Sequence, residues 1–461
     1  MIKDDHWPVA RLIPISSASG IEAQERRAAS ALLAVISAVP EFGRSLLKPL
    51  GATAGKIEAF VEVPFKLADG RSIRPDGILV ISRGATSWGV IVETKVGSAS
   101  LEKDQIDAYL DLAQELKFNA VLSISNHYVT SSTAYPIEVD RRKAKRIALH
   151  HWSWIDVLTE AVVQKQHRGV SDPDQAYILN ELIRYLSDPR SGAVSFSSMG
   201  PSWIKVKDGA REQTLRKTDA DVAAIAGRWD DLVRYLGLEL TKDLGRDVKQ
   251  VLNKDERTPT ARHGALKTSL AERGLLYADL QVPDAGTMHI VADLRARQVS
   301  VSTDIDAPRE GRSKGRVSWL LRQLQNAPEN LKVEARLARS QATLAASLAE
   351  ARTTPERLHP EQPREIRQFG LTLTRNMGLK RDAGKGSFID SVLETTKDFY
   401  GEVLQNLRPW KASPPKLQKQ PPVSEPEAPV TQIPSQLEEP VNAAQREQAE
   451  ARDSAEAISN H

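Results

Sequence analysis

Three short runs of alternating apolar and polar residues, separated by turn residues and flanked by helical runs, constrain this chain more than any other feature. Ile57–Phe65 alternates as a half-buried strand does, Asp69-Gly70 has hairpin-turn chemistry, and Ser72–Ile81 reads as a second strand. Gly84 breaks the chain before a third strand, Ser87–Lys95. Ahead of them, Ile21, Ala28, Leu32, Val35 or Ile36, and Val39 recur at helical spacing, and Ser19-Gly20-Ile21-Glu22 has the form of a capping box. Behind them come a helix with Leu101, Ile106, Tyr109, Leu110 and Ala113 on one side, and short strands at Ala120–Ser125 and Arg146–His151. A further helix runs from Ser153 to about Gln164. The order helix, three-strand meander, helix, strand predicts a mixed α/β core.

At 461 residues the chain has room for two or three domains. Beyond Pro201 the pattern predicts helices at Asp219–Leu240 and Ala261–Arg273, strands at Met288–Leu294 and Gln298–Thr303, a helix at Val317–Leu324, a strand at Leu331–Leu337 and a last helix at Phe388–Leu404. A first domain over 1–200 and an α+β domain over 201–410 follow, with the boundary near Gly200–Trp203. From Lys411 onward, five Lys and Arg face eight Asp and Glu, and nine of the 26 prolines lie between Pro409 and Pro440. Such a segment buries too little apolar area to offset its chain entropy, so 411–461 is expected to be a disordered acidic tail.

With no cysteine, the chain has no disulfide, thiol nucleophile or thiolate metal site. No apolar run approaches the ~18 residues of a membrane span, and the N-terminal segment lacks the apolar core of a secretory signal. A cytoplasmic protein is the expectation. The net charge of +3 averages a body of +6 and a tail of −3.

Chemistry-bearing residues concentrate between Glu25 and Tyr109. Glu93 and Lys95 are two apart on a strand whose other residues are apolar, so both leave one face at the end of a buried strand. A carboxylate and an ammonium there each need a partner. Asp76, in Arg74-Pro75-Asp76-Gly77 on the adjacent strand, can share a cation with Glu93. Two carboxylates with water and substrate phosphates are what Mg²⁺ takes, while Lys95 can orient or polarise a nucleophile. The competing reading is an ordinary salt bridge at the edge of a sheet. On helix 1, Glu25 is the one charge on the apolar stripe, and an inward carboxylate wants a partner or a metal. Glu22 is accounted for by capping, and Glu58 and Glu62 are weaker alternatives. His127, His150 and His151 lack metal-ligand spacing, although Asn126 and His127 end a strand near the expected site and could touch substrate.

Arg74-Pro75-Asp76, sixteen intervening residues and Glu93-Thr94-Lys95 resemble the PD-(D/E)XK nuclease signature. Gln105-Ile106-Asp107-Ala108-Tyr109 is similar to the Gln-x-x-x-Tyr element of nuclease modules in bacterial recombination helicase–nucleases. The resemblance covers roughly residues 19–160. It implies a restriction-endonuclease-like αβββαβ core and a metal-dependent phosphodiesterase. Asp76 and Glu93 would be Mg²⁺ ligands (Mn²⁺ serving as a substitute), Lys95 the catalytic lysine, and Gln105 and Tyr109 supports that contact the DNA backbone. Family members often bring an acidic residue from helix 1, which makes Glu25 a further ligand. Restriction, repair or phage defence would be the setting.

Arg141, Arg142, Lys143, Lys145 and Arg146 crowd six residues, and Arg309, Arg312, Lys314 and Arg316 crowd a loop ahead of a helix. Arg375, Lys380, Arg381 and Lys385 form a third basic segment. Cations so placed suit sequence-independent phosphate contact, so DNA is the expected partner, and no base-reading motif is present. Gly51–Lys56 and Gly378–Lys385 imitate a phosphate-binding loop but fail in spacing and lack its hydroxyl, so any motor would be a separate protein. Self-association through the second domain is a further expectation. The alternative function is a noncatalytic nucleic-acid-binding or regulatory protein that keeps the nuclease fold.

Overall fold

The computed structural model describes residues 7–13, 20–97, 99–127, 135–193, 196–361 and 364–411. The expected cap at Ser19 and the tail beyond Lys411 lie outside the described residues. The protein is a mixed α/β structure with twelve α-helices among the described residues. Residues Met1–Lys411 form one compact unit, in which a five-stranded and a seven-stranded sheet serve two lobes.

The first lobe begins with α1 (Gly20–Ala38) and α2 (Pro40–Leu47), followed by β1 (Lys56–Val61), a small hairpin of β2 (Phe65–Lys66) and β3 (Ser72–Ile73), then β4 (Gly77–Arg83) and β5 (Thr86–Thr94). Next come α3 (Lys103–Leu116), β6 (Ala120–Ser125), α4 (Arg141–Ala144), β7 (Ala148–Ser153), α5 (Trp154–Val163) and α6 (Pro173–Ser187). The sheet order is β1-β4-β5-β6-β7. The first three strands are antiparallel, and β5, β6 and β7 run parallel.

Two expected strands are shorter than their alternation suggested. Glu62 takes the left-handed backbone region (φ 49°) and ends β1, while Pro75 has no N–H for a ladder. The Asp69-Gly70 turn therefore closes the β2–β3 hairpin and not the long meander. Ile21 is also corrected: it is 50% exposed, and the buried stripe of α1 runs through Ala28, Leu32, Val35 and Ile36.

Helices cover both faces of this sheet, which explains why β5 and β6 are apolar nearly throughout. Leu79, Val90, Val92 and Leu122 pack with α1, α5 and α6, whereas Ile78, Val80, Ile91 and Val121 pack with α3. At Gly77 a side chain would lie 2.1 Å from Leu33 Cδ1, so the glycine lets α1 rest directly on the start of β4. Truncating a fully buried residue such as Ile36 to alanine costs about 2–5 kcal/mol here.

The second lobe contains α7 (Trp203–Glu212), α8 (Ala220–Leu244), β8 (Lys249–Val251), α9 (Pro259–Arg273), β9 (Leu275–Val282), β10 (Gly286–Asp293) and β11 (Gln298–Asp306). It continues with α10 (Ser313–Gln323), β12 (Lys332–Leu337), β13 (Thr343–Ser347), α11 (Leu348–Thr353), β14 (Ile366–Asn376) and α12 (Phe388–Glu402). Its antiparallel sheet has the order β13-β12-β14-β11-β10-β9-β8. Alternate residues are buried along β9 to β12, one face being apolar. Trp203, Trp229 and Phe388 form an aromatic cluster in the second core. Asp156, in the first turn of α5, accepts a hydrogen bond from Arg234 of α8 at 2.8 Å, which ties the lobes. No single helix among the described residues is long and apolar enough to cross a membrane.

Candidate active site

Register builds the site. Gly77 of β4 pairs with Val92 of β5, so Asp76, one step earlier, comes beside Glu93. Across the parallel half of the sheet, Glu93 pairs with Ser123 of β6, and Ser123 pairs with His151 of β7. Asp76, Glu93, Ser123 and His151 thus form a lateral polar row on the face covered by α3.

Each carboxylate in the row is held. Asp76 Oδ2 accepts hydrogen bonds from the Thr94 amide (2.7 Å) and the Thr94 hydroxyl (2.8 Å). Glu93 is 1% exposed. Its Oε2 accepts from the Tyr109 hydroxyl at 2.7 Å, and Gln105 Nε2 donates to that hydroxyl at 3.0 Å. Gln105 and Tyr109 are four apart on α3 and share a face, which is why one can brace the other. Glu93 Oε1 is buried without a hydrogen bond, although Lys95 Nζ lies 2.7 Å away as an ion pair.

Lys95 is fixed through its backbone: its amide donates to the Ile124 carbonyl (2.8 Å), and its carbonyl accepts from Trp154 Nε1 (2.8 Å). Its ammonium also lies 3.8 Å from Glu25 Oε2. Glu25 reaches the sheet end from α1, where its Oε1 accepts from the Val96 amide at 3.4 Å. Five of the residues picked out by sequence reasoning therefore converge around Lys95: Glu25, Asp76, Glu93, Gln105 and Tyr109.

Electrostatics follow from three carboxylates around one cation. Burial, and next the charge on Asp76, push Glu93 up to about 8 against the pull of Lys95 and Tyr109. Burial also raises Asp76, opposed by the Thr94 hydrogen bonds, and raises Glu25, opposed by Lys95. Burial opposes the charge on Lys95, but Glu93, Glu25 and Asp76 outweigh it and hold the ammonium above the ordinary lysine range. Tyr109 is raised by burial and by Glu93, and so stays a donor. The donor set suits a hard cation in chemistry: oxygens only, with three carboxylates against one ammonium. In this arrangement the carboxylates face Lys95, and among the described residues no group of three or more His, Asp or Glu is arranged to hold an ion.

Several contributors were not singled out from sequence. Thr94 clamps Asp76, and its place between Glu93 and Lys95 was the available signal. Ser123 was hidden inside an apolar run. His151 is part of the polar row: its Nε2 lies 3.1 Å from the His127 carbonyl, so Nε2 carries the proton and Nδ1 accepts from Ser123 Oγ at 2.8 Å. Ser123 in turn accepts from the Tyr135 hydroxyl at 2.8 Å. Burial depresses His151 to about 4, which keeps it neutral. Asn126 donates to the Gly97 and Gly192 carbonyls at 3.0 and 2.8 Å, a loop staple. Glu58 and Glu62 turn to Lys56 (3.5 Å) and Arg26 (2.8 Å).

The basic clusters differ in availability. Arg141 and Arg142 of α4 are exposed, but Lys143 folds back onto Asp111 at 2.8 Å. Arg309, Arg312 and Lys314 are exposed. Arg316 corrects the expectation of a surface contact: it is 4% exposed and donates to the carbonyls of Ile366 (2.7 Å) and Arg309 (3.0 Å). Arg375 and Arg381 pair with Asp398 and Asp382. No family model, curated protein or solved structure matches this chain.

Proposed function

We propose that the protein is a metal-dependent nuclease that hydrolyses DNA phosphodiester bonds with the site at Asp76, Glu93 and Lys95. The observation that carries this reading is the placement of Asp76 beside Glu93, with Lys95 Nζ 2.7 Å from Glu93 Oε1 and Glu25 approaching from the opposite helical layer. Asp76 and Glu93 would hold Mg²⁺, with Glu25 as a further oxygen donor. Bound there, the ion supplies the charge that activates water and offsets charge on the scissile phosphate. Thr94 aims Asp76, and Tyr109 with Gln105 aims Glu93, so the carboxylates are preorganised. Lys95, beside Glu93, would orient the nucleophile or contact the phosphate. Exposed Arg141, Arg142, Arg309, Arg312 and Lys314 supply cations for backbone phosphates.

One observation favours the alternative, a noncatalytic nucleic-acid-binding protein of the same architecture: the carboxylates converge on an ammonium. Incubating the purified protein with plasmid DNA, linear DNA and RNA, with Mg²⁺ or Mn²⁺, separates the two. The nuclease reading expects cutting by the wild type and loss of cutting, with binding retained, in Asp76→Ala and Lys95→Ala. Unchanged cleavage in both variants would overturn the site, and binding without cleavage under either metal would favour the alternative.

A further inference from the structure

The second lobe holds two arginines buried to the same degree in opposite surroundings. Arg262 of α9 is 3% exposed and contacts Asp230 at 3.1 Å, Glu256 at 2.5 Å and the Tyr277 carbonyl at 2.6 Å. Its guanidinium is paired with two carboxylates. Arg316 of α10 is 4% exposed and has two carbonyls as acceptors, while its Nε is buried without a partner. Its carboxylate neighbour, Glu365, is 3.7 Å away on a side chain that is 75% exposed. A buried cation so poorly matched is costly unless an anion completes it.

The surroundings of Arg316 supply room for one. A cavity of about 580 Å³ is lined by Arg312, Lys314, Arg316, Arg364, His359 and Ser313, with Glu361 and Glu365 as its acidic members. That volume lies within the ~300–1,000 Å³ of ordinary ligand sites. The cavity opens at the N-terminus of α10, an eleven-residue helix with no side-chain cap and no acidic residue in its first turn. Lys314 and Arg316 stand at the positive end of the helix dipole, the end that cations normally avoid. His359 Nε2, at the cavity wall, is a second buried nitrogen without a partner. A helix start without a side-chain cap, three exposed cations and a buried arginine whose Nε has no partner together suit an anion.

We propose that this cavity binds a phosphate group presented by a nucleic-acid strand, a second anchoring point that rests on the nuclease reading of the first lobe. Arg312, Lys314 and Arg364 contact the phosphate, and Arg316 supplies charge from behind. The three exposed side chains can be removed without touching the core. Arg316 itself ties its loop to β14, so it is left intact.

The test compares the wild type with Arg312→Ala/Lys314→Ala and with Arg364→Ala. Thermal unfolding is followed in inorganic phosphate against chloride at equal ionic strength. Binding of a labelled oligonucleotide, with or without a 5′-phosphate, is followed in EDTA so that no cleavage intervenes. Phosphate should raise the melting midpoint of the wild type and raise that of the double variant by less than half as much. Oligonucleotide affinity should fall about tenfold or more in the double variant. The slope of log affinity against log salt should become shallower by about one per cation removed. A larger loss for the 5′-phosphorylated strand would assign the pocket to strand ends, and an equal loss to internal phosphates. Equal phosphate response and unchanged oligonucleotide binding in all proteins would overturn the pocket. The nuclease reading would then survive if the wild type cuts with Mg²⁺ and Lys95→Ala does not. A phosphate response lost in the variants, with no oligonucleotide bound by any protein, would reveal a free-phosphate site. That outcome would overturn the nucleic-acid assignment of the pocket, while the nuclease reading would stand or fall on cleavage with Mg²⁺.

Discussion

Glu93 in the first lobe and Arg262 in the second are titratable side chains buried to similar depth, 1% and 3% exposed, yet they belong to differently composed clusters. Around Arg262 two carboxylates face one guanidinium, and burial raises Asp230 while Glu256 is held down. Glu256 accepts from Arg262, from the Tyr277 hydroxyl at 2.8 Å and from Asn253, and it is pulled below the ordinary glutamate range despite its burial. Around Glu93 three carboxylates share one ammonium, and all three are raised. The Arg262 cluster holds elements of its own lobe together, whereas the cluster around Glu93, held by Thr94, Tyr109 and Gln105, carries an excess of carboxylates over cations, the arrangement on which the nuclease proposal rests.

The sharpest way to break this comparison is through activity. Lys95→Ala should lower cleavage by about 10²–10³-fold or more while DNA binding persists, measured by plasmid nicking and filter binding. Arg262→Ala should leave cleavage chemistry alone in the protein that remains folded. It should cost about 3–5 kcal/mol of stability, because Asp230 and Glu256 lose their buried cation. Chemical denaturation measures that cost, and an Arg262→Ala protein as stable as the wild type would end the claim that this cluster is structural.

The pH dependence sharpens the contrast further. Between an unfolded glutamate near 4.5 and a folded Glu93 near 8, the native state holds a proton that the unfolded chain has released. Stability should therefore fall as pH rises through that window, and Glu93→Gln should flatten the fall. Divalent-cation affinity should rise over the same window, since the cation must displace that proton. Titration by calorimetry in buffers of different ionisation heat measures the released proton, and a pH-independent affinity would refute the assignment. The smallest effect belongs to Gln105→Ala, which removes a brace and not a ligand. It should cost about 1 kcal/mol in stability or in transition-state binding, seen as a loss of a few-fold in cleavage rate.

Much of the element order was legible because period and turn chemistry are local. β10, β11, β12, α8, α9 and α12 lie within a few residues of the places that alternation and helical spacing predict. β9 was overlooked because it follows α9 through Gly274 alone, so the two periodicities run together. β14 was overlooked for another reason. Its pairing with β12 shifts register at Arg336/Leu337, and its buried residues Phe369, Gly370 and Leu371 are consecutive, which erases the period of two. α6 and α2, which complete the first lobe's helical layer, were likewise not distinguished from their surroundings.

The same division holds for the candidate site. Glu93, Lys95 and Glu25 were readable because an isolated charge on an apolar strand or stripe marks itself, Asp76 because it lies on the adjacent strand, and Gln105 and Tyr109 only through a motif resemblance. The roles of Thr94, Ser123 and His151 were not, because they depend on which strands neighbour one another, and no residue records its neighbour across a sheet. Sequence alone determined the mixed α/β class, the charges confined to apolar elements and the lack of thiol chemistry. Only the tertiary structure decided that Asp76 stands beside Glu93, that Glu25 meets Lys95 from another layer, and that Arg316 is buried behind a basic cavity. Those outcomes rest on register and on contacts between distant segments, where burial sets the energy of a charge and the chain's linear order does not.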